Sequence, residues 1–244
     1  MDILFWTKLN PKIAVGRVNR RFYNQYYYKL EIKIPGTSFL RDSETSLDKQ
    51  LENRKRVRRS VNFAGSWRMK HLQLPDQRDL EFLARIRDAK PLYETTMKFR
   101  IEEPTLHVYS NSEDELYKFA IAVADPTQST DGFCKIFKPL SDKHLELLEQ
   151  GYTVKRRESE YPFKVLVREG RYTKERKQQI LNYLNNLGDL VELPLHFISS
   201  MEKKYDSVWN CYFYSKDRGI LTMLSMIDPR FIRDIEEYQT ISDK

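Results

Sequence analysis

The chain carries at residues 26–34 the sequence Tyr26-Tyr27-Tyr28-Lys29-Leu30-Glu31-Ile32-Lys33-Ile34. Its two faces would be Tyr28, Leu30, Ile32 and Ile34 on one side, and Tyr27, Lys29, Glu31 and Lys33 on the other. Alternation with a period of two is typical of a strand that buries one face. The Pro35-Gly36 dipeptide ends the pattern, which therefore predicts a half-buried strand.

Two later stretches echo each other. Val108-Tyr109-Ser110-Asn111 leads through a predicted helix to Asp125-Pro126, and Phe213-Tyr214-Ser215-Lys216 leads through another to Asp228-Pro229. A strand and a helix precede each stretch, the strands being Tyr28-Lys29-Leu30-Glu31-Ile32 and Phe163-Lys164-Val165-Leu166-Val167. The shared order of strand, helix, strand, strand and helix is typical of ferredoxin-like folds.

We therefore expect an α+β fold in which helices cover mixed or antiparallel sheets, and the echo favours two ferredoxin-like halves. The expected boundary gives an N-terminal half of residues 1–155, which includes a basic helix, and a C-terminal half of residues 156–244. Asp76, Ser112 and Thr173 are suitable N-caps for helices, and Gly188 is suited to end the helix that begins at Thr173. Pro229 is predicted to open a last helix that bears Phe231, Ile232 and Ile235.

Composition favours a globular protein with an anionic partner. Of the 244 residues, 40% are hydrophobic and 32% charged, and no apolar run approaches the roughly 20 residues that a membrane helix needs. The opening Met1-Asp2 places an acid where a signal peptide would carry positive charge. We therefore expect a cytoplasmic protein that does not associate with membranes. The net charge of +7 favours an anionic partner.

The strongest local charge lies between Asn53 and Pro75. This window contains no Asp or Glu, and its seven basic residues are Arg54, Lys55, Arg56, Arg58, Arg59, Arg68 and Lys70. Phe63 and Trp67 lie in the same window. Arginine forks bind phosphates and aromatic rings stack on bases, so the window predicts a contact with nucleic acid.

A second basic cluster and one further aromatic residue extend the candidate site. Arg168, Arg171 and Lys174 lie where a predicted strand meets a helix N-terminus, whose free N–H groups favour anions. Tyr27 would share a strand face with Lys29 and Lys33, which is the arrangement of a stacking platform. The predicted nucleic-acid-binding residues outside the first window are thus Arg168, Arg171, Lys174 and Tyr27.

The sequence contains none of the common signatures of catalysis or of metal binding. It has no phosphate-binding glycine loop, no G-x-S-x-G nucleophile elbow and no H-E-x-x-H. Cys134 and Cys211 are too far apart in sequence to form a C-x-x-C pair. Glu102 and Glu103 would point to opposite faces of a strand and so would not converge on a metal. We assign no catalytic residue, metal ligand or cofactor.

The function that fits these features best is binding of single-stranded DNA or RNA through a basic groove with aromatic stacking. Two other classes stay open. One is a structural or interaction component of a larger, nucleoprotein-type assembly, which would have a protein partner or form an oligomer. The other is a metal-independent ribonuclease on a ferredoxin-like scaffold, with His71 as general base and a basic side chain stabilising the phosphorane.

Overall fold

A computed structural model describes residues 3–61, 73–124, 132–155, 157–203 and 207–241. The chain divides into two compact units, Met1–Asp142 and Lys143–Lys244. The boundary expected between residues 155 and 156 stays a prediction about domains, because compactness does not test whether either part folds alone.

The first unit contains one five-stranded sheet. Its helices are α1 (Ile3–Leu9), α2 (Leu47–Val61), α3 (Gln77–Tyr93) and α4 (Glu113–Val123), with a 3-10 turn over Thr37–Arg41. Its strands are β1 (Ala14–Arg17), β2 (Tyr28–Lys33), β3 (Lys98–Glu102), β4 (Thr105–Ser110) and β5 (Phe133–Lys138). They lie in the order β1-β5-β2-β4-β3, and every neighbouring pair is antiparallel except β1 and β5.

The second unit repeats this order. Its helices are α5 (Asp142–Glu149, which begins at the last residue of the first unit), α6 (Lys174–Asn186), α7 (Leu195–Glu202) and α8 (Gly219–Ile227). Its strands are β6 (Thr153–Lys155), β7 (Phe163–Val167), β8 (Gly170–Arg171), β9 (Val191–Glu192), β10 (Ser207–Val208), β11 (Tyr212–Ser215) and β12 (Ile232–Thr240). The main sheet has the order β6-β12-β7-β11-β9, again with only its first pair parallel. Strands β8 and β10 form a separate antiparallel pair.

The first sheet is a ferredoxin-like βαββαβ sheet with one added strand, and the second has the same strand order with α7 and β10 inserted between β9 and β11. Without β1, the remaining strands of the first unit follow the chain order β2, β3, β4, β5 and the spatial order β5-β2-β4-β3. In the main sheet of the second unit, the strands other than β6 have the chain order β7, β9, β11, β12 and the spatial order β12-β7-β11-β9. Chain order and spatial order are therefore related in the same way in both units. The prediction of an α+β fold with mixed and antiparallel sheets is therefore confirmed.

The echoing tetrapeptides occupy matching positions in the two sheets. In the first unit Tyr28 lies opposite Ser110, and in the second Phe163 lies opposite Ser215. Both serines are fully buried. The hydroxyl of Ser110 accepts a hydrogen bond from the backbone N–H two residues later at 3.1 Å, and that of Ser215 does the same at 3.2 Å. Helices α4 and α8 therefore follow equivalent strands through the same type of turn.

Each core lies on one face of its sheet. In the first unit Leu30 and Val108 of the sheet belong to the same buried cluster as Leu83 of α3 and Phe119 of α4. In the second unit, the corresponding cluster is Val165, Phe213, Ile180, Leu184 and Leu224. Because side chains alternate along a strand, the residues between these positions lie on the opposite face. We call that side of each sheet its open face.

The predicted helix starts are confirmed by their capping bonds. The side chain of Asp76 accepts from the N–H of Asp79 in a reciprocal capping box, and Ser112 accepts from Glu115. Thr173 accepts from the N–H of Arg176. These bonds satisfy backbone donors that have no partner within the helix.

The prediction of a helix after Pro229 is wrong. Residues Ile232–Thr240 form β12, which pairs with β7 on one side and with β6 on the other. The sequence of this strand contains good helix formers, but pairing on both sides completes the sheet, and such tertiary contacts override weak local propensity.

Candidate nucleic-acid interface

The open face of the first sheet alternates cations with aromatic rings. Across one row of the sheet, Lys98 lies opposite Tyr109, Tyr109 opposite Lys29, and Lys29 opposite Phe137. This row places two cationic and two aromatic side chains next to each other on four neighbouring strands. In an uncovered sheet, a row of this kind can stack on bases and neutralise the phosphates beside them.

A short hairpin before β2 lies against this row. Phe22 and Tyr26 form a β-bridge at its base. The ring centroid of Tyr109 lies 5.4 Å from that of Phe22, 5.1 Å from that of Tyr23 and 6.2 Å from that of Tyr26. The hairpin leaves Tyr109 only 5% exposed. Burial and the neighbouring Tyr23 raise the pKa of Tyr109, so its phenol stays neutral at physiological pH.

Basic side chains lie over the rings of this cluster. The Lys29 Nζ is 4.0 Å from the ring centroid of Phe137, and the Lys98 Nζ is 3.7 Å from that of Tyr23. The Arg100 guanidinium donates a hydrogen bond to the hydroxyl of Tyr23 at 3.2 Å. Cation–π contacts contribute roughly 0.5–2 kcal/mol each, and they fix the rings and the charges in one arrangement.

The tip of the hairpin has an unusual backbone. Tyr23 has φ 55° and Asn24 has φ 57°, both in the left-handed region. Asparagine tolerates this region, whereas a bulky residue such as tyrosine adopts it at a cost of about 1–3 kcal/mol. The contacts of the Tyr23 ring with Tyr109, Lys98 and Arg100 offset that cost. The Tyr23 side chain is thereby held over the open face, with 46% of the residue exposed.

The hairpin and the sheet border an open, concave pocket of about 700 Å³. We call it the first-unit pocket; its lining residues are Arg17, Val18, Asn19, Arg20, Arg21, Phe22, Tyr23, Asn24, Arg100, Tyr109 and Phe137. Four of them are arginines and none is acidic. The volume lies within the range of about 300–1,000 Å³ that small-ligand sites occupy.

The acids of the open face lie in the next two rows, Glu31 opposite His107 and Glu102 opposite Thr105. Glu31 pairs with Lys29 at 2.6 Å, and Glu102 forms an ion pair with Arg100. His107 lies between these carboxylates, with Nε2 3.1 Å from Glu102 and Nδ1 3.5 Å from Glu31. Arg100 is thus partly neutralised. Neither Glu31 nor Glu102 is among the described residues that line the first-unit pocket. The charge of the pocket is therefore set chiefly by its arginines.

The basic residues of α2 between Arg54 and Arg59, called here the basic block on α2, are of two kinds: some are held by internal contacts and others are exposed. Arg54 is held within the unit: it lies 3.3 Å from Glu103, hydrogen-bonds the Ser38 hydroxyl and lies 4.3 Å from the Phe39 ring centroid. Lys55 pairs with Glu52 at 2.7 Å. Arg56, Arg58 and Arg59 are exposed. Lys55, Arg58 and Arg59 border, with Leu74, a second cavity of about 410 Å³.

The structure describes only some of the other predicted residues. Trp67, Arg68, Lys70 and also His71 lie outside the described residues. Arg168, Arg171 and Lys174 are all exposed around the turn from β7 to α6. Tyr172 in that turn is instead buried, and its hydroxyl donates to the Arg168 carbonyl at 2.8 Å. Tyr27 is half-buried and directly precedes β2.

Sequence reasoning missed the arginines of the first-unit pocket, although a signal was present. From Ile3 to Leu30 the chain contains no Asp or Glu, and Arg17, Arg20 and Arg21 lie there beside Phe22 and Tyr23. This acid-free stretch is longer than the one from Asn53 to Pro75. Its basic residues are more widely spaced, which made it less conspicuous than the block on α2.

No protein-family profile matches this chain, and no curated protein sequence is significantly similar to it. Within the described ranges, no group of three or more His, Cys, Asp and Glu side chains could hold a metal ion. Nor does any helix in that part of the chain have the length and apolar character needed to cross a bilayer. Any functional interpretation therefore depends on the site itself.

Proposed function

We propose that this protein binds single-stranded nucleic acid and that the first-unit pocket is its principal contact. The observation that carries the proposal is the convergence of four arginines and four aromatic residues around one pocket of about 700 Å³, whose described lining contains no Asp or Glu. Arginine presents a planar fork that matches the oxygens of a phosphate. Aromatic side chains offer flat faces to bases of any sequence.

The geometry favours a single strand over a duplex. A base can stack on a protein ring only when it is free of its neighbours in a helix. Tyr23 is the accessible ring of the cluster, whereas Tyr109 supports it from below. A base would therefore stack on Tyr23, and Arg20 and Arg21 would contact the adjoining phosphates. No helix carrying polar base-reading residues was identified in the sequence, and this also argues against readout of duplex sequence.

The exposed arginines of α2 and the cluster at residues 168–174 extend the proposal. Arg56, Arg58 and Arg59 have the exposure that a phosphate contact requires. Contacts of this kind add affinity without sequence preference and strengthen the dependence on salt. Arg54 is omitted from the proposed contacts because its guanidinium is occupied by Glu103, Ser38 and Phe39.

Fluorescence anisotropy tests the proposal. Labelled single-stranded and duplex oligonucleotides would be titrated at several salt concentrations with the wild type, with an Arg20→Ala/Arg21→Ala variant and with an Arg78→Ala control. Arg78 is exposed near the start of α3, in the helical layer. We expect tighter binding to single strands, and loss of two phosphate contacts should reduce the slope of log K against log salt by about 1.4.

The possible outcomes separate the functional classes. Equal losses in the pocket variant and the Arg78→Ala control would remove the pocket from the site. Cleavage of the oligonucleotide would select the ribonuclease. Absence of binding to both strand types would refute the proposal and leave the assembly component.

A further inference from the structure

The open face of the second sheet carries its own cluster of tyrosines and lysines. Tyr214 lies opposite Lys164 on β7, just as Tyr109 lies opposite Lys29 on β2. Tyr212 lies on the same face two residues earlier along β11. The register of the two sheets therefore places a tyrosine beside a lysine at equivalent central positions.

Close contacts hold this cluster together. The Lys155 Nζ lies 3.3 Å from the ring centroid of Tyr238, and the Lys164 Nζ lies 4.3 Å from that of Tyr212. The rings of Tyr212 and Tyr214 meet edge to face, with centroids 5.5 Å apart. The three tyrosines are half-buried. Each ring is thus fixed in place, while its residue retains some accessible surface.

The positive charges of the two lysines repel each other across β12, which lies between their strands. Burial and the positive charge of Lys164 lower the pKa of Lys155, and Glu236 and Glu192 oppose this effect. Lys164 has only a loose ion pair with Glu236, at 3.9 Å. A phosphate placed beside the tyrosines would reduce the repulsion between the lysines, because it is attracted to both of them.

We propose that the open face of the second sheet is a second base-stacking site for single-stranded nucleic acid. The inference rests on the proposed function. Bases would stack on Tyr212, Tyr214 and Tyr238, and Lys155 and Lys164 would contact the phosphate next to a stacked base. The tyrosine–lysine register, equivalent to that of the first unit, and the positive charge that the two lysines place directly beside the half-buried rings support this occupant.

The two sites differ in their electrostatics. The first-unit pocket is lined by four arginines and no acid. On the second open face, Glu192 of β9 lies opposite Tyr214 of β11. On β12, Asp234 lies opposite Leu166 of β7, and Glu236 lies opposite Lys164 of β7. These carboxylates offset the two lysines. The second site therefore contributes stacking more than phosphate binding, and its loss should weaken affinity with little change in the salt slope.

A Tyr214→Leu variant tests this site, with Tyr183→Leu as its matched control. Tyr183 is a half-buried tyrosine of α6 that packs against the helical side of the second core. Loss of one stacked base costs on the order of 1–3 kcal/mol, so affinity for a single-stranded oligonucleotide should fall about 5- to 150-fold in Tyr214→Leu. Tyr183→Leu should keep wild-type affinity per folded molecule.

Photo-crosslinking supplies a second measurement that does not depend on a stable variant. Wild-type protein irradiated with an oligonucleotide containing 4-thiouridine or 4-thiothymidine should yield crosslinked peptides that contain Tyr212, Tyr214 or Tyr238. Unchanged affinity in folded Tyr214→Leu, or crosslinks confined to the first unit, would overturn the second site. If Arg20→Ala/Arg21→Ala still weakens binding in that case, the proposed function stands without it.

Discussion

Glu103 lies 3.3 Å from Arg54, and the pair joins helix α2 to the turn between β3 and β4. The same carboxylate accepts hydrogen bonds from the backbone N–H groups of Gly36 and Ser38 at 2.7 and 2.8 Å. Three separate segments of the first unit therefore meet at one side chain. The most N-terminal arginine of the basic block on α2 is accordingly part of the scaffold.

The basic block on α2 should divide into a stabilising and a binding part. Arg54→Ala removes an ion pair that is largely buried, and we expect it to lower the free energy of unfolding by about 2 kcal/mol.

Arg56→Ala/Arg59→Ala removes exposed charges and should leave stability nearly unchanged. The double variant should weaken binding to all sequences alike and flatten the salt dependence for a single strand by about 0.7 units of slope per lost contact. Urea denaturation and anisotropy measure the two effects; unchanged affinity in the double variant would exclude these arginines from the site.

The carboxylate of Glu103 should make stability depend on pH. Burial opposes its ionisation, but the N–H groups of Ser38 and Gly36 and the side chains of Ser38 and Arg54 hold the pKa of Glu103 below its ordinary value of 4.5. A depressed pKa in the folded state stabilises the protein above the unfolded value, and this contribution is lost as pH falls through the folded value. The difference in free energy of unfolding between wild type and Glu103→Gln should therefore be largest above about pH 5 and shrink below it. Glu44→Gln, at an exposed position of the same unit, is the control, and an equal pH profile for both variants would contradict the assignment.

Tyr23 should contribute to binding more than to stability. Tyr23→Ala removes the accessible ring of the first-unit pocket, and loss of one stacked base predicts a decrease in affinity of roughly 1–3 kcal/mol. Because Tyr23 is 46% exposed, loss of its ring contacts should lower the melting temperature by only a few degrees. Tyr23→Phe retains the ring but loses the bond to Arg100, so its affinity should stay close to that of the wild type. A sharp fall in melting temperature with unchanged binding would instead assign the ring to the core.

Gly16 should be required for the shape of the first-unit pocket. A Cβ at this position would lie 2.6 Å from the Phe137 ring and 2.9 Å from the Lys135 side chain. Gly16→Ala must therefore displace Phe137, and overpacking of this kind typically costs about 1–3 kcal/mol. We expect reduced stability together with weaker binding of single strands. Ala14→Ser, at an exposed position of the same strand, should change neither quantity, and wild-type behaviour of Gly16→Ala would show that the ring moves freely.

The parts of the fold that follow local rules could be predicted from the sequence. Alternation identified β2, and short polar side chains identified the starts of α3, α4 and α6 because each satisfies a free N–H group. The strand β12 could not be recognised in this way. Its identity as a strand is decided by pairing with β7 and β6, and β6 is distant in sequence.

The candidate site was harder to predict than the fold because it depends on register. Tyr109 and Phe137 are brought together only through β2, which pairs with both of their strands. Composition can reveal an excess of positive charge, but it cannot distinguish Arg54, which is occupied by internal contacts, from Arg56, which is exposed. That distinction comes from the side chains that surround each guanidinium.

The strand added to each unit has a consequence for self-association. Because β1 covers β5 and β6 covers β12, the nine-residue β12 has a neighbour on both sides. Among the described strands, the outermost ones are short: β1 has 4 residues, β6 has 3 and β9 has 2. The remaining outer strand, β3, carries Lys98, Arg100 and Glu102 on one face. Short or charged outer strands are poor templates for pairing with another chain, so these sheets should resist edge-to-edge aggregation even when the protein is concentrated.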